Sequence, residues 1–254
     1  MKIYQAHAKV NIFLKITSQR GEYHELVSRF MKVPHLYDEL SFVKKQSSKF
    51  EIIGDFTCEI EQNTIYKAYI ELKKATNSDK LSRLLSSYGV HVNKNIPSFA
   101  GLGGGSSDAA VFLRMCNEVL HLGLSIQELV KIGAKVGADV PFFIYDVNSA
   151  NVSGTGEIVE QFDEDTLPLK IITPDIQIST PQVYKQYRQN FYNPLPDAKA
   201  QEYLQIKSID VLKNMDINQA NDLFAPALHL YPQLKNFYRA DYFFSGSGSS
   251  FFYL

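Results

Sequence analysis

Pro97-Ser-Phe-Ala-Gly-Leu-Gly-Gly-Gly-Ser-Ser-Asp-Ala-Ala110 places four glycines within five residues, Gly101, Gly103, Gly104 and Gly105, ahead of Ser106, Ser107 and a run of helical character. Two common phosphate motifs fail here. No Gly-Lys-Ser/Thr follows, which excludes the Walker A loop. Counting G-x-G-x-x-G from Gly101 reaches Ser106 and from Gly103 reaches Asp108, so the dinucleotide fingerprint fails too. What remains is a loop that tolerates positive φ and runs into a helix N-terminus. Free amide N–H groups and the positive end of the helix dipole favour an anion there. Ser106 and Ser107 add hydroxyls for a phosphate or for Mg2+. The plainer alternative is a glycine turn with Ser106 as N-cap. Four glycines, each losing backbone entropy on ordering, weigh toward the anion site. Asp108, expected in the first turn, suits the dipole but repels phosphate; it should point away or help to hold a cation.

The 254 residues around this loop suffice for one large domain or two modest ones with a real core. Lys+Arg 26 against Asp+Glu 27 gives a net charge of -1, so no global field recruits nucleic acid or an anionic membrane. Any anion site is therefore local. The opening residues alternate too regularly for a signal peptide, and no apolar run approaches the ~18 residues of a membrane span. Cys58 and Cys116 have no metal-ligand spacing, and no histidine pair stands at zinc-site spacing. A reducing cytoplasm is the expected compartment. Neither Ser106 nor the Ser247 region supplies the G-x-S-x-G of a serine hydrolase.

Hydrophobic periodicity predicts strands over 3–16, 27–33, 40–43, 49–53 and 90–93. From Lys9 onward, Lys9, Asn11 and Phe13 share one face of the first strand and Val10, Ile12 and Leu14 the other. Helical spacing is expected over 63–77 and 106–122. A capping box at Ser125–Glu128 opens another helix, with Gly137 as its C′ residue. Beyond about 150 come a strand at 169–173, helical runs near 180–192, 199–206, 208–214 and 217–230, and two strand-like pieces around Ser245–Ser250. The pattern is that of an α+β protein in two packed halves, 1–150 and 151–254, with a soft boundary near 148–155.

Three places offer chemistry. Lys9 is a cation in a core-building strand. It reads either as an edge residue or, with Asn11 on the same face, as part of a polar pair on a rigid element. Asp139, in Gly137-Ala-Asp-Val-Pro-Phe-Phe143, reads equally as an N-cap before a short helix or as a carboxylate placed for general-base work. His24 lies in the polar turn Arg20-Gly-Glu-Tyr-His24, as an ordinary turn histidine or as a ligand contact.

Taken together, three segments resemble the GHMP kinase superfamily. Ala8-Lys-Val-Asn-Ile-Phe-Leu14 is similar to its N-terminal P-A-K-x-N motif, with His7 in place of the usual proline. Ile96–Ala110 is similar to its phosphate loop, and Phe244-Ser-Gly-Ser-Gly-Ser-Ser250 to its C-terminal glycine motif. The triple glycine, the Gly137–Phe143 tract and Tyr23-His24 point to the branch that acts on a cytidine diphosphate-linked polyol. There Arg20-Gly-Glu-Tyr-His is one residue shorter than the family's R-x-D-G-Y-H. The resemblance implies a two-domain fold, with an N-terminal half like ribosomal protein S5 domain 2 and a ferredoxin-like C-terminal half, and a site in the cleft between them. It implies ATP with Mg2+, a small-molecule acceptor, and a monomer or homodimer. Asp139 matches the catalytic base and Lys9 its partner. Pro97, Gly101, Leu102, Gly103, Gly104, Gly105, Ser106 and Ser107 match the phosphate loop, while Asn63 and Lys94 match positions near the adenine. Asn11 would orient the acceptor, Tyr23 and Tyr184 would sandwich a cytosine ring, and His24 would bond its edge. Gly246 and Gly248 would lie close to the diphosphate. Rival readings are a related kinase for homoserine, mevalonate or a sugar, a diphosphomevalonate decarboxylase, and a non-catalytic nucleotide-binding module. Tyr23, His24 and Tyr184 discriminate among the kinases, because an acceptor without a base gives them nothing to hold.

Overall fold

The computed structural model describes residues 2–254 apart from Glu22 and Thr57, so Glu22 of the Arg20–His24 turn lies outside the described residues. Two long strands open the chain, β1 (Tyr4–Arg20) and β2 (Tyr23–Lys44), which pair with each other. Next come β3 (Ile52–Ile53), α1 (Thr64–Thr76), α2 (Asp79–Ser87), β4 (Tyr88–Asn93), α3 (Gly104–Val119), α4 (Ile126–Gly133) and α5 (Val140–Tyr145). The remainder holds β5 (Ser149–Ser153), β6 (Ile158–Gln161), β7 (Lys170–Ile172), α6 (Thr180–Gln186) and a π-helical turn at Tyr187–Phe191. After these follow α7 (Asp197–Gln205), α8 (Ser208–Asn214), α9 (Ile217–Ala220), α10 (Phe224–Leu230), β8 (Phe243–Phe244) and β9 (Phe251–Tyr253).

Two compact units alternate along the chain. One comprises Met1–Ala8, Pro34–Ile96 and Gly104–Asp146; the other comprises Lys9–Val33, Pro97–Gly103 and Val147–Leu254. In the first unit β4 pairs antiparallel with the C-terminal end of β2, Glu39 opposite Asn93 and Lys44 opposite Tyr88, and parallel with β3. Helices α1, α3, α4 and α5 pack on one another, and each buries a large apolar residue: Leu72, Phe112, Leu129 and Phe142. Asn63 starts α1 by accepting the Ile65 N–H, and Asn77 ends it in the left-handed region.

In the second unit the N-terminal end of β2 pairs antiparallel with β5, which pairs in turn with β6. A separate antiparallel sheet runs in the order β7-β9-β8. Its core gathers Leu14, Ile16, Val183, Phe224, Phe244 and Phe251. Pro34 falls between the two ladders of β2, after Met31, the last partner of β5, and before Glu39, the first partner of β4. A proline lacking an N–H is tolerated at such a gap.

Several expectations are corrected. The separate strands at 27–33 and 40–43 belong to one strand, β2, and the strand at 49–53 shrinks to Ile52–Ile53. Helix α3 starts at Gly104, so Ser106 lies inside it and is not its N-cap. Helix α4 ends at Gly133 with Ala134 as C-cap, and Gly137 is not its C′ residue. The helix α2, capped by Ser78, was not foreseen. The runs at 180–192 and 217–230 each break in two, the first at a π-helical turn and the second at Asn221, whose side chain holds the backbone of the C-terminal loop.

Candidate functional site

Within the first unit the loop's helix and the Asp139 segment meet. A Cβ built on Gly137 would lie 3.8 Å from Ser106 Oγ, so the hydroxyl at the start of α3 faces the turn that leads into Asp139. Asp139 is half-buried at the N-terminal end of α5, with φ -80° and ψ -14°. Asp139 occupies the N-cap position as expected, but its carboxylate makes no capping hydrogen bond to α5. Pro141 supplies the fixed φ of that helix's first turn, so Asp139 sits where the backbone is rigid.

Gly104, Gly105, Ser106 and Ser107 form the first turn of α3, a 16-residue helix whose initial amides have no partners within the helix. Thr64 at the start of α1 donates to the Gly105 carbonyl at 2.6 Å, which ties that turn down from the side. The Ser107 hydroxyl is buried and finds no hydrogen-bond partner among the described residues. Asp108 is held by a cation through one oxygen, while its buried Oδ1 finds no hydrogen-bond partner among the described residues. Its Oδ2 accepts from Lys94 Nζ at 2.8 Å, and Lys94 also pairs with the buried Asp38. Burial outweighs that ion pair and pushes the Asp108 carboxyl up to about 7. Asn63, expected near an adenine, spends its Oδ1 on the Ile65 N–H and is 7% exposed.

The second unit holds the remaining residues. Lys9 and Asn11, both buried on β1, do meet: Lys9 Nζ donates to Asn11 Oδ1 at 2.6 Å and lies 4.4 Å from the centroid of the Phe30 ring. Asn11 Nδ2 donates to Ser28 Oγ at 2.9 Å, and the Ser28 hydroxyl donates in turn to the Phe13 carbonyl. This chain fixes the amide, with its oxygen toward Lys9. The glycine motif near the C-terminus packs on the same place. Ser245 Oγ donates to the Gly101 carbonyl at 2.9 Å, the Lys9 N–H donates to the Leu102 carbonyl at 3.0 Å, and Ser250 N–H donates to the Ala100 carbonyl at 3.1 Å. Ala100, Gly101 and Leu102 are thus braced against β1 and the Ser245–Ser250 loop, and Pro97 and Gly103 belong to the same unit. Gly101 has φ +75°, and a Cβ there would stand 2.0 Å from the Ser245 carbonyl oxygen. Only glycine fits. A Cβ on Gly246 would lie 3.4 Å from Asn11 Oδ1, while Gly248 packs against the Phe244 ring.

The same unit carries a pocket of about 390 Å³ lined by Tyr23, His24, Thr155, Thr180, Tyr184 and Arg188, among others. His24 stacks on Tyr184 with ring centroids 5.3 Å apart, and Tyr187 meets it edge-on at 5.8 Å. Its buried Nε2 finds no partner among the described residues. Burial first, and the Arg188 charge second, hold its pKa below the ordinary value of 6.5. Tyr23 stands 70% exposed at the rim.

The sequence reading missed Asp38 and Arg188. Asp38 lies 56 positions from Lys94, and no local spacing connects them. Arg188 had a signal, since it falls one helical turn after Tyr184. Among the described residues no group of three or more His, Cys, Asp or Glu could hold a metal, and no helix is long and apolar enough to cross a membrane. Both cysteines are free thiols, Cys58 exposed and Cys116 buried.

Residues 63–146 match the GHMP kinases N terminal domain. The chain is 61% identical to a 4-diphosphocytidyl-2-C-methyl-D-erythritol kinase of Sulfurimonas denitrificans, over 99% of this chain and 96% of that one. It is 44% identical to the kinase of the same name from Campylobacter jejuni subsp. doylei, over 98% of each chain. A solved structure of a 4-(cytidine 5'-diphospho)-2C-methyl-D-erythritol kinase superposes with a TM-score of 0.73 at 28% identity, covering 99% of this chain and 89% of that one.

Proposed function

Because this chain belongs to the 4-diphosphocytidyl-2-C-methyl-D-erythritol kinase family, within the GHMP kinases and with their two-domain α+β fold, we propose that it transfers the γ-phosphoryl group of ATP to the 2-hydroxyl of that cytidine diphosphate-linked polyol. This is a step toward isoprenoid precursors by the non-mevalonate route. The observation that carries the reading is the approach of Ser106, at the phosphate-loop helix, to the turn that presents Asp139.

Phosphoryl transfer asks for positioning and for charge stabilisation more than for covalent help. The amides of Gly104 to Ser107 and the dipole of α3 receive the nucleotide's phosphates, in a loop braced by Ser245 and Thr64. Asp139 takes the proton of the acceptor hydroxyl. As it does so, the oxygen forms its bond to the γ-phosphorus and the bond to ADP breaks. Lys9, which matches the family's partner of the base, holds the oxygen of Asn11, and Asn11, its amide also fixed by Ser28, orients the hydroxyl. Mg2+ bound with the nucleotide would be carried mainly by phosphate oxygens and water, needing one or two protein oxygens. The hydroxyls of Ser106 and Ser107 are the groups at hand, and the ion would neutralise phosphate charge.

At the other end, the pocket between Tyr23 and Tyr184 is the right kind of place for a pyrimidine. It offers two aromatic faces and a neutral imidazole with an unsatisfied buried nitrogen. Release of ADP should be followed with diphosphocytidyl-methylerythritol, homoserine, mevalonate and galactose as acceptors. Turnover is expected with the first alone, and turnover only with another acceptor sinks the assignment. Asp139→Asn should lower kcat by about 10²–10⁴-fold, the usual worth of a general base. Full activity in that variant would remove Asp139 from the chemistry.

A further inference from the structure

The glycine loop leaves the first unit after Ile96 and re-joins it at Gly104. Its two feet are tied together by side chains far apart in sequence. Asp38, fully buried on β2, accepts through Oδ1 from the backbone N–H groups of Asn95 at 2.5 Å and Ile96 at 2.8 Å. Its Oδ2 accepts from Lys94 Nζ, and the same ammonium donates to Asp108 Oδ2 on α3 at 2.8 Å. One cation therefore joins the foot before the loop to the helix after it. The neck is also closely packed: a Cβ on Gly104 would lie 2.9 Å from Ile96 Cγ2 and 3.5 Å from Lys94 Nζ.

Between the feet the backbone is left-handed three times, at Phe99, Gly101 and Gly103, with φ of 55°, 75° and 73°. For Phe99 that region is unfavourable. A segment of this kind samples other shapes unless its ends are fixed, and fixing them before a ligand arrives lowers the entropy lost on binding. A surface ion pair would be too weak and too mobile for the task. This cluster is buried, with Asp38 0% and Asp108 2% exposed, so it admits few arrangements.

We infer that Asp38, Lys94 and Asp108 form a clasp that closes the neck of the phosphate loop, making Asp38 and Asp108 positioning residues for the nucleotide. They act through Lys94, whose ammonium is committed to the two carboxylates. The inference rests on the nucleotide reading of the loop given above.

Asp108→Asn keeps the side chain's size and leaves the Lys94–Asp38 pair in place, so it is the first variant to make, with Asp38→Asn second. The Kd of a fluorescent ATP analogue should rise about tenfold, and the KM for ATP with it. At the same time kcat and the acceptor's KM should stay within about twofold, and hydrogen exchange should quicken at the amides of 98–105 alone. Unchanged nucleotide affinity with unchanged loop exchange overturns the clasp. So does a fall in kcat without a change in Kd, or a uniform rise in exchange across the first unit, either of which assigns the cluster to general stability. Should a carboxylate-to-amide variant not fold, Asp108→Glu keeps the charge, alters the reach and gives the same readings. Because Kd and loop exchange need no acceptor, failure of the clasp is distinct from failure of the acceptor assignment, which would appear as missing turnover in the unaltered protein.

Discussion

His24 rests on the ring of Tyr184 with its Nε2 buried, and burial together with the Arg188 charge holds it neutral through the physiological range. A neutral imidazole offers one N–H and one lone pair, the complement of a base edge. The sign of its pH dependence follows. With the folded pKa below 6.5, the unfolded chain binds the proton more readily. The group's contribution to stability is thus present above that pH and lost as pH falls through and below it. Acceptor KM should stay flat from about pH 8 to about pH 6.5 and rise only on the acid side. Arg188→Gln should move that rise to higher pH. A KM already rising between about pH 8 and pH 7 would contradict a neutral His24. At this scale Lys9 and Asn11 were legible, because strand alternation alone puts them on one face, and the structure joins them. Asp38 was not, since its significance lies wholly in partners brought to it by the fold.

Elements with strong local chemistry were readable, and their ends less so. The Ser125–Glu128 capping box is formed as expected, and the terminal hairpin of β8 and β9 brackets Ser245–Ser250. Helix α3 begins two positions early because glycines, poor helix formers, are held there by outside contacts such as Thr64 on the Gly105 carbonyl. At the loop itself Gly101→Ala must place a methyl at the Ser245 carbonyl and adopt left-handed φ. The conformation alone costs about 1–2 kcal/mol. Urea denaturation should show at least that loss, with weaker ATP binding; an unchanged midpoint would mean the two loops are not in contact in solution. Strand β2 carries a second test. Its Arg29 is fully buried, bonded to Asn151, to Glu164 and to the Leu204 carbonyl, and stacked 3.3 Å from the Phe162 ring centroid. Removing one partner of a buried ion pair typically costs about 3–5 kcal/mol, so Arg29→Ala should approach that figure in the same measurement. A loss below about 1 kcal/mol would show that Ser149 and Ser208, the other donors to Glu164, satisfy the carboxylate unaided.

On the scale of the whole molecule, the least legible feature was the alternation of the two units along the chain. Periodicity reports which residues are buried, and it says nothing of where a long strand exchanges one set of neighbours for another, as β2 does around Pro34. The division of the proposed site residues follows that alternation. The loop helix and Asp139 belong to one unit, while Lys9, Asn11 and the Tyr23–His24–Tyr184 pocket belong to the other. Binding and chemistry should accordingly separate on mutation. A ligand present at about 100 times its Kd stabilises the folded state by about 2.7 kcal/mol, which for a chain of this size raises Tm by roughly 5–10 °C. In Asp139→Asn, ATP and cytidine diphosphate should each still give a shift of this order, because the amides of Gly104 to Ser107 and the aromatic pocket are untouched, while ADP release with the polyol falls to near background. His24→Ala should show the reverse selectivity, keeping the ATP shift and losing most of the cytidine diphosphate shift. If Asp139→Asn instead abolishes the ATP shift, the carboxylate is holding the nucleotide or the fold around it, and its role as proton acceptor fails even if turnover disappears as expected.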